Sequence, residues 1–324
     1  VLRRKLMKKG FLETIRKVDI LFIGCAFLIL APVLTVQRTN DFIIFCIFVL
    51  AYNLLYGFMG RLSFGHMLYF GVGAYASALT AEHLSANPFV ALLVALVAGA
   101  GTGIILGPIT VRTTGACFAL INLAFNQVGY FLALIALAKW TGGEDGMAAF
   151  FDNIWIFDLG NRYVVFGLSL ICLLLVVYLM RRLTSSSFGI LLRTIKENET
   201  RARFLGYNTF RYKLAAFVIS TTISAFAGAL SIINYTYVTP SFIDTTRNVE
   251  VIFASLIGGS ASIYGSLVGG VSYMIISNYL PKYIQRWEMF LGIALLLLVF
   301  RFRSGLWGYI SETVEKYTLK GARE

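Results

Sequence analysis

The residues of this chain that could do covalent or metal chemistry are few and poorly spaced for it. The two histidines, His66 and His83, lie far apart. Cys25, Cys46, Cys117 and Cys172 each sit inside an apolar run, and no Cys-x-x-Cys occurs. The cysteines therefore read as small apolar side chains, and nothing has metal-ligand spacing. There is no Gly-x-x-x-x-Gly-Lys-Ser/Thr phosphate loop, no His-Glu-x-x-His, no Gly-x-Ser-x-Gly and no pair of carboxylates within an apolar run. Neither an enzyme nor a P-loop nucleotide site is expected.

What remains is a sparse set of polar side chains embedded in apolar sequence: Asn53, Ser63, His66, Asn122, Asn126, Gln127, Ser220, Ser255 and Ser272. A polar group left unbonded in hydrocarbon costs roughly 1–3 kcal/mol. Each of these either bonds a neighbouring helix or lines a polar path. His66 is the sharpest case, because it follows Gly65 in a Gly-interrupted segment. It either pins a break in a helix or belongs to an inner gate. Phe64, Tyr69, Phe70 and Tyr75 either line the same route or pack between helices.

The elements that must carry these residues follow from composition. Of 324 residues, 58% are apolar and only 14% are charged, against about 25% charged in an ordinary soluble domain. A soluble fold could not cover so much apolar surface, so the solvent for most of the chain is expected to be lipid. Apolar runs fall at about 20–36, 42–59, 64–81, 88–110, 115–138, 162–180, 212–236, 249–259, 264–280 and 288–302. A spanning helix needs about 20 residues. The expected fold is an all-α polytopic membrane protein of about ten transmembrane helices, with nine to eleven open because 249–280 could cross once or twice. Ten crossings place both termini on one side. With the termini inside, inside segments hold 22 of the 28 Lys and Arg, so the positive-inside rule sets both termini in the cytoplasm. The net charge of +12 is thereby explained without nucleic acid. Trp140, Trp155, Trp287 and Trp307 lie at or just beyond span ends, as interfacial anchors do. The basic N-terminus lacks a small-residue cleavage site and reads as leading into an uncleaved first span. The expected organisation is a basic cytoplasmic segment 1–19, one transmembrane domain 20–303 and a cytoplasmic tail 304–324. Within the domain, 139–161 is an extracytoplasmic loop and 181–213 a cytoplasmic one.

Two runs are rich in glycine. Ser63–Tyr75 has Gly65, Gly71 and Gly73, and Ile257–Gly270 has five glycines, Gly258 and Gly259 among them. Both are expected to be broken or closely packed helices, since small residues let backbones approach in lipid. They lie in opposite halves of the chain. Two halves of five crossings run in opposite senses, and paired Gly-interrupted segments in an inverted repeat mark a transport pathway. Dense packing alone remains the other reading. The middle of the long inside loop, 189–206, reads as one or two short amphipathic helices ending at Gly206. It either lies on anionic lipid or docks a cytoplasmic partner.

Leu50–Gly57, Gly60-Arg-Leu-Ser-Phe-Gly-His66 and Gly71-Val-Gly-Ala-Tyr75 together resemble the branched-chain amino acid ABC transporter permeases, the M-type more than the H-type. The resemblance continues through Arg112–Phe125, Thr141-Gly-Gly-Glu-Asp-Gly146, Ser187–Gly189, Lys196–Glu199, Leu205-Gly206, Lys213–Ser220, Ala227–Leu230, Gly258-Gly259 and Gly305–Gly308. It covers roughly 40–308. It implies a permease subunit of an ATP-driven importer in a bacterial inner membrane. The solute would be a branched-chain or other hydrophobic amino acid, moved inward by alternating access. It implies a second, homologous permease, two ATPases that bind the ATP and Mg, and an extracytoplasmic solute-binding protein. No cofactor is expected in this chain. The inside loop would be the ATPase-coupling element, with Arg193, Lys196, Glu197, Glu199, Arg201 and Arg203 polar, Phe204 and Leu205 as apolar anchor and Gly206 closing the helix. The path or gate would involve Asn53, Ser63, Phe64, Gly65, His66, Tyr69, Gly71, Tyr75, Asn122, Asn126, Gly258 and Gly259. Gly142, Gly143, Glu144, Asp145 and Gly146 would meet the binding protein. Arg201, Arg203 and Phe204 depart from the family's usual small or acidic residues, and Glu144 from its usual Ser. Arg61 and Thr114-Gly115 depart as well. Such departures leave urea, amides and small aromatic or organic acids open as cargo. An ion-coupled secondary transporter or a channel is the alternative of another class. It would need a membrane-depth carboxylate, for which Glu250 is the nearest candidate.

Overall fold

The computed structural model describes residues 22–32, 34–152, 159–259, 262–284, 286–287, 289–290, 292–293 and 305–309. The segments 1–19 and 310–324, Trp155 and most of the tenth apolar run lie outside the described residues. Five helices are long and apolar enough to cross a membrane by length and composition. They are Val36–Met59, Pro88–Thr110, Ala116–Ala136, Arg162–Ser185 and Thr209–Tyr235.

In chain order the helices are α1 (Phe22–Pro32), α2 (Val36–Asn53), α3 (His66–His83), α4 (Pro88–Thr110), α5 (Ala116–Phe131) and the short α6 (Ala138–Thr141). They are followed by α7 (Arg162–Ser185), α8 (Ser187–Glu197), α9 (Glu199–Phe204), α10 (Thr209–Tyr235), α11 (Thr245–Gly258) and α12 (Ile263–Tyr279). Helix α2 runs on as a π-helical turn, Leu54–Met59, and α5 as another, Leu132–Ala136. Helix starts are set by side chains. Asn87, Asn161, Asn198, Asn208 and Asp244 each accept a backbone N–H of the first turn that follows. Pro88 occupies the first position of α4, where its missing N–H costs nothing.

The core is built on α10, which packs against α4, α3 and α2. Small residues allow this. Ala91, Ala95, Gly99, Gly103 and Gly107 form one buried face of α4. A Cβ on Gly99, Gly103 or Gly107 would run into Ala225, Thr221 or Leu214 of α10. Thr221 Oγ1 donates to the Gly99 carbonyl at 3.0 Å across this contact. The opposite face of α4 exposes Leu93, Val97, Ile104, Ile105 and Ile109, as a lipid-facing surface does. Helices α11 and α12 pack on each other and, with α7, complete the wrapping of α2.

The Gly-rich runs divide into two cases. In the first, the interruption takes in Gly65 but lies before the other two glycines. The chain leaves helix at Gly60, where φ is +73°, and re-enters it at His66. Gly71 and Gly73 then lie inside the unbroken α3. Gly73 is there because the α10 backbone at Ala225 leaves no room for a Cβ. In the second run the break is where the glycines are, with α11 ending at Gly258 and α12 starting at Ile263.

A Gly73→Ala substitution is expected to destabilise the purified protein by about 1–3 kcal/mol, the usual cost of overpacking. Gly101→Ala, where a Cβ meets nothing within 4 Å, is expected to be neutral or to stabilise by up to about 1 kcal/mol through helix propensity. Thermal unfolding of the two variants side by side checks the pair.

Candidate functional site

At one end of the bundle the segment between α7 and α10 folds as α8 and α9. Leu191, Leu192 and Ile195 bury one face of α8. Arg193 lays its guanidinium over the Phe58 ring at 5.0 Å. Lys196 donates from Nζ to the Gly57 carbonyl at 2.8 Å, capping the π-helical end of α2. Its stem passes over Gly60, where a side chain would collide with it.

Glu199 is the hub of this end. Its Oε2 accepts from Arg61 Nη2 at 2.9 Å. Its Oε1 accepts from Arg203 Nη2 at 2.6 Å and from Lys213 Nζ at 2.7 Å. Thr209 donates to the same oxygen at 3.2 Å while accepting from Arg203 Nε at 3.1 Å. One carboxylate therefore ties α9 to the segment before α3 and to the first turn of α10. Burial opposes ionisation of Glu199, but hydrogen bonds from Lys213 and Arg203 outweigh it and hold its carboxyl down at about 2. Sequence reasoning placed Glu199 with Glu197 and Arg201 as an outward contact. Glu197 and Arg201 are exposed, whereas Glu199 is committed internally. Phe204 and Leu205 stand 87% and 66% exposed at the end of α9. Gly206 follows with φ +86°, closing the helix in the left-handed region.

The polar residues expected along a path are brought together, and most are satisfied by the backbone. Ser220 donates to the Ala51 carbonyl at 2.5 Å, so its single proton is used and it accepts from His66 Nε2 at 2.8 Å. His66 Nδ1 faces Ser63 Oγ at 3.4 Å, and Ser63 also takes the Gly65 N–H at 3.3 Å. His66 is fully buried, edge-on to Tyr52 and Tyr69. It pins the start of α3 to α10. Gly65 lies against the Asn122 backbone. Asn122 donates to the Phe118 carbonyl and faces the Tyr69 hydroxyl. Asn53 donates to the Ser262 carbonyl at 3.1 Å, beside the α11–α12 break at Gly258 and Gly259. Asn126 donates to the Ile243 carbonyl at 2.7 Å and accepts from Asn248, which itself takes the Met67 N–H at 2.8 Å. Asn248, just outside the apolar run 249–259, was missed by sequence reasoning. Gly71 abuts Ile243, Tyr75 is buried and Phe64 is half-buried.

At the end of the bundle away from α8 and α9, a cavity of about 480 Å³ opens between α2, α3, α10, α11 and α12. Asp41, Arg247 and Glu250 line it, with Phe45, Phe48 and Phe70 among its apolar walls. Of the aromatics expected on the route only Phe70 lines it, and none of the polar path residues does. Asp41 and Arg247, far apart in sequence, could not have been paired without the fold. Above the cavity, Gly142 and Gly146 turn the loop with φ of +76° and +70°. Gly143 is buried within this turn, whereas Glu144 and Asp145 are exposed. Strand β1 (Met147–Ala148) pairs antiparallel with β2 (Tyr237–Val238), and Tyr237 Oη donates to the Asp145 carbonyl. The loop is thus clipped to the return from α10. Residues 153–158 of it lie outside the described residues.

Five helices long and apolar enough to cross a membrane, with internally bonded polar side chains at the helix breaks, mark a multi-pass membrane protein. The family model described as "Branched-chain amino acid transport system / permease component" matches residues 34–300, and the chain belongs to that family. It is 25% identical over 293 residues to the high-affinity branched-chain amino acid transport system permease protein LivM of Escherichia coli, covering 82% of this chain and 68% of the relative. A probable LivM of Methanocaldococcus jannaschii is 26% identical over 248 residues, covering 70% of each chain. The Escherichia coli LivH permease is 24% identical over 287 residues, covering 79% of this chain and 88% of the relative. The chain thus spans about two thirds of the length of its LivM relatives. No solved structure matches it.

The stabilisation carried by Glu199 should be fully present above the ordinary carboxylate value of 4.5 and be lost as pH falls towards 2. The stability gap between the wild type and Glu199→Gln is expected to be about 2 kcal/mol near neutrality. It should be flat above that window and shrink within it, as read by unfolding across a pH series.

Proposed function

We propose that the protein is the membrane subunit of an ATP-driven importer, seated in a bacterial inner membrane with about ten crossings, inverted halves and both termini in the cytoplasm. It would pair with a second, homologous permease. Two ATPase subunits would dock on α8 and α9, and an extracytoplasmic binding protein would deliver a small organic solute at Gly142–Gly146. Family membership supports this reading, and the observation that carries it is the end of α9. Phe204 and Leu205 are exposed there on a helix whose base is locked by Glu199. A movement of α9 would pull on Arg61, five residues before His66, and on Lys213, two turns before Ser220. These two arms hold the two partners of the buried His66–Ser220 bond. ATPase closure could reach the bundle interior through that route, and alternating access would follow from rocking of the two permeases. Branched-chain amino acids are the first cargo to consider, because the relatives' names carry them.

Glu250 in the cavity wall keeps a second reading, ion-coupled transport without an ATPase. Affinity purification of the tagged chain after gentle detergent extraction, with mass spectrometry of what comes with it, separates the two. A different permease and ATPases are expected. Phe204→Ala with Leu205→Ala is expected to cut ATPase recovery more than about tenfold, as loss of two anchoring side chains does, while the second permease is retained. A lone homo-oligomer would overturn the importer reading.

A further inference from the structure

The cavity at the far end of the bundle combines features that no role above requires. It is about 480 Å³, within the roughly 300–1,000 Å³ of small-molecule sites. Two carboxylates, Asp41 and Glu250, and one guanidinium, Arg247, face it from α2 and α11. Asp41 is held in place: Asn234 donates to its Oδ1 at 2.8 Å, Asn40 donates to Asn234 at 2.7 Å, and Tyr235 also hydrogen-bonds it. Arg247 is steadied over the Phe242 ring at 5.7 Å. In the apolar part of the lining, Phe48 meets Phe70 edge-on at 5.1 Å, and Met67 and Met274 join them.

Charges of both signs at the mouth of an apolar, aromatic chamber suit a solute with both signs at one end and hydrocarbon at the other. We propose that this chamber is a solute-binding station of the permease itself, taking an apolar α-amino acid as its zwitterion. Asp41 and Glu250 receive the ammonium, Arg247 receives the carboxylate, and the side chain lies against the apolar wall that Phe45, Phe48 and Phe70 form. The proposal rests on the permease reading and goes beyond it, because it places selectivity in this chain as well as in a delivering protein. A bare carboxylate would meet two fixed carboxylates, and an uncharged amide would leave all three charges unmatched. The chamber therefore decides among the cargoes that the sequence leaves open.

The test uses the purified permease–ATPase complex in lipid nanodiscs, freed of binding protein, with tritiated L-leucine and L-phenylalanine as probes. Saturable binding of at least one is expected. Against the probe that binds, the competitors are its matched analogues. For leucine, 3-methylbutylamine, which lacks the carboxylate, should compete about tenfold more weakly than leucine, and 4-methylpentanoate, which lacks the ammonium, more weakly still. Phenethylamine and 3-phenylpropanoate serve likewise for phenylalanine, and urea should not compete. Asp41→Asn and Glu250→Gln should each weaken binding about tenfold, with size-exclusion profiles confirming assembly. If Asp41→Asn does not assemble, Glu250→Gln and Arg247→Gln are read instead. Binding of neither probe, equal competition by the deaminated acid, or unchanged affinity in the assembled variants would overturn the proposal. Those results with ATPases present leave the importer reading standing, whereas absence of ATPases from the preparation overturns that reading by itself.

Discussion

In lipid a backbone N–H or C=O has no water to turn to, and this constraint shapes the interior. The chain leaves helix between Gly60 and Gly65 and again after Gly258. Each departure frees backbone groups, and side chains answer them. Lys196 takes the Gly57 carbonyl, Ser63 the Gly65 N–H, Asn248 the Met67 N–H, and Asn53 the Ser262 carbonyl. Asn126 does the same for Ile243, in the segment that returns from α10 to α11. Asn53, Asn126 and Asn248 are thus backbone partners supplied by neighbouring helices. Each of these asparagine bonds also fixes one element relative to another.

The same logic explains why one carboxylate is surrounded by three cations. Glu199 gathers Arg61, Arg203 and Lys213 from the segment before α3, from α9 and from α10. Removing one cation would leave the others holding the helices, whereas removing the carboxylate would leave Lys213, almost fully buried, beside two like charges. The asymmetry makes the acid the structural centre and the bases its dependents.

Much of this arrangement was legible beforehand. Nine of the apolar runs located helices among the described residues, most of them to within a few residues, and the amphipathic pattern over 189–206 gave α8 and α9 with Gly206 as their stop. The glycine runs were legible as close packing. Where the breaks fall was harder, because Gly71 and Gly73 serve a helix contact and a helix interruption leaves the same residue type behind. The four-residue spacing of Ala91, Ala95, Gly99, Gly103 and Gly107 was present in the sequence as a helix-contact stripe and went unread. The cavity was not legible, since Asp41 and Arg247 come from opposite halves of the chain. Nor was the inward turn of Glu199, for a charged helix start in a loop reads equally well as a surface.

The exposed pair at the end of α9 also bears on how a cell must make this protein. On the importer reading, Phe204 and Leu205 show apolar surface to water on the side where the ribosome, chaperones and proteases work. Copies synthesised beyond the supply of whatever covers them display the mark by which quality control sorts unassembled chains. Abundance of the subunit would then follow that of its cover, and matched synthesis of the two becomes a condition for keeping the protein at all.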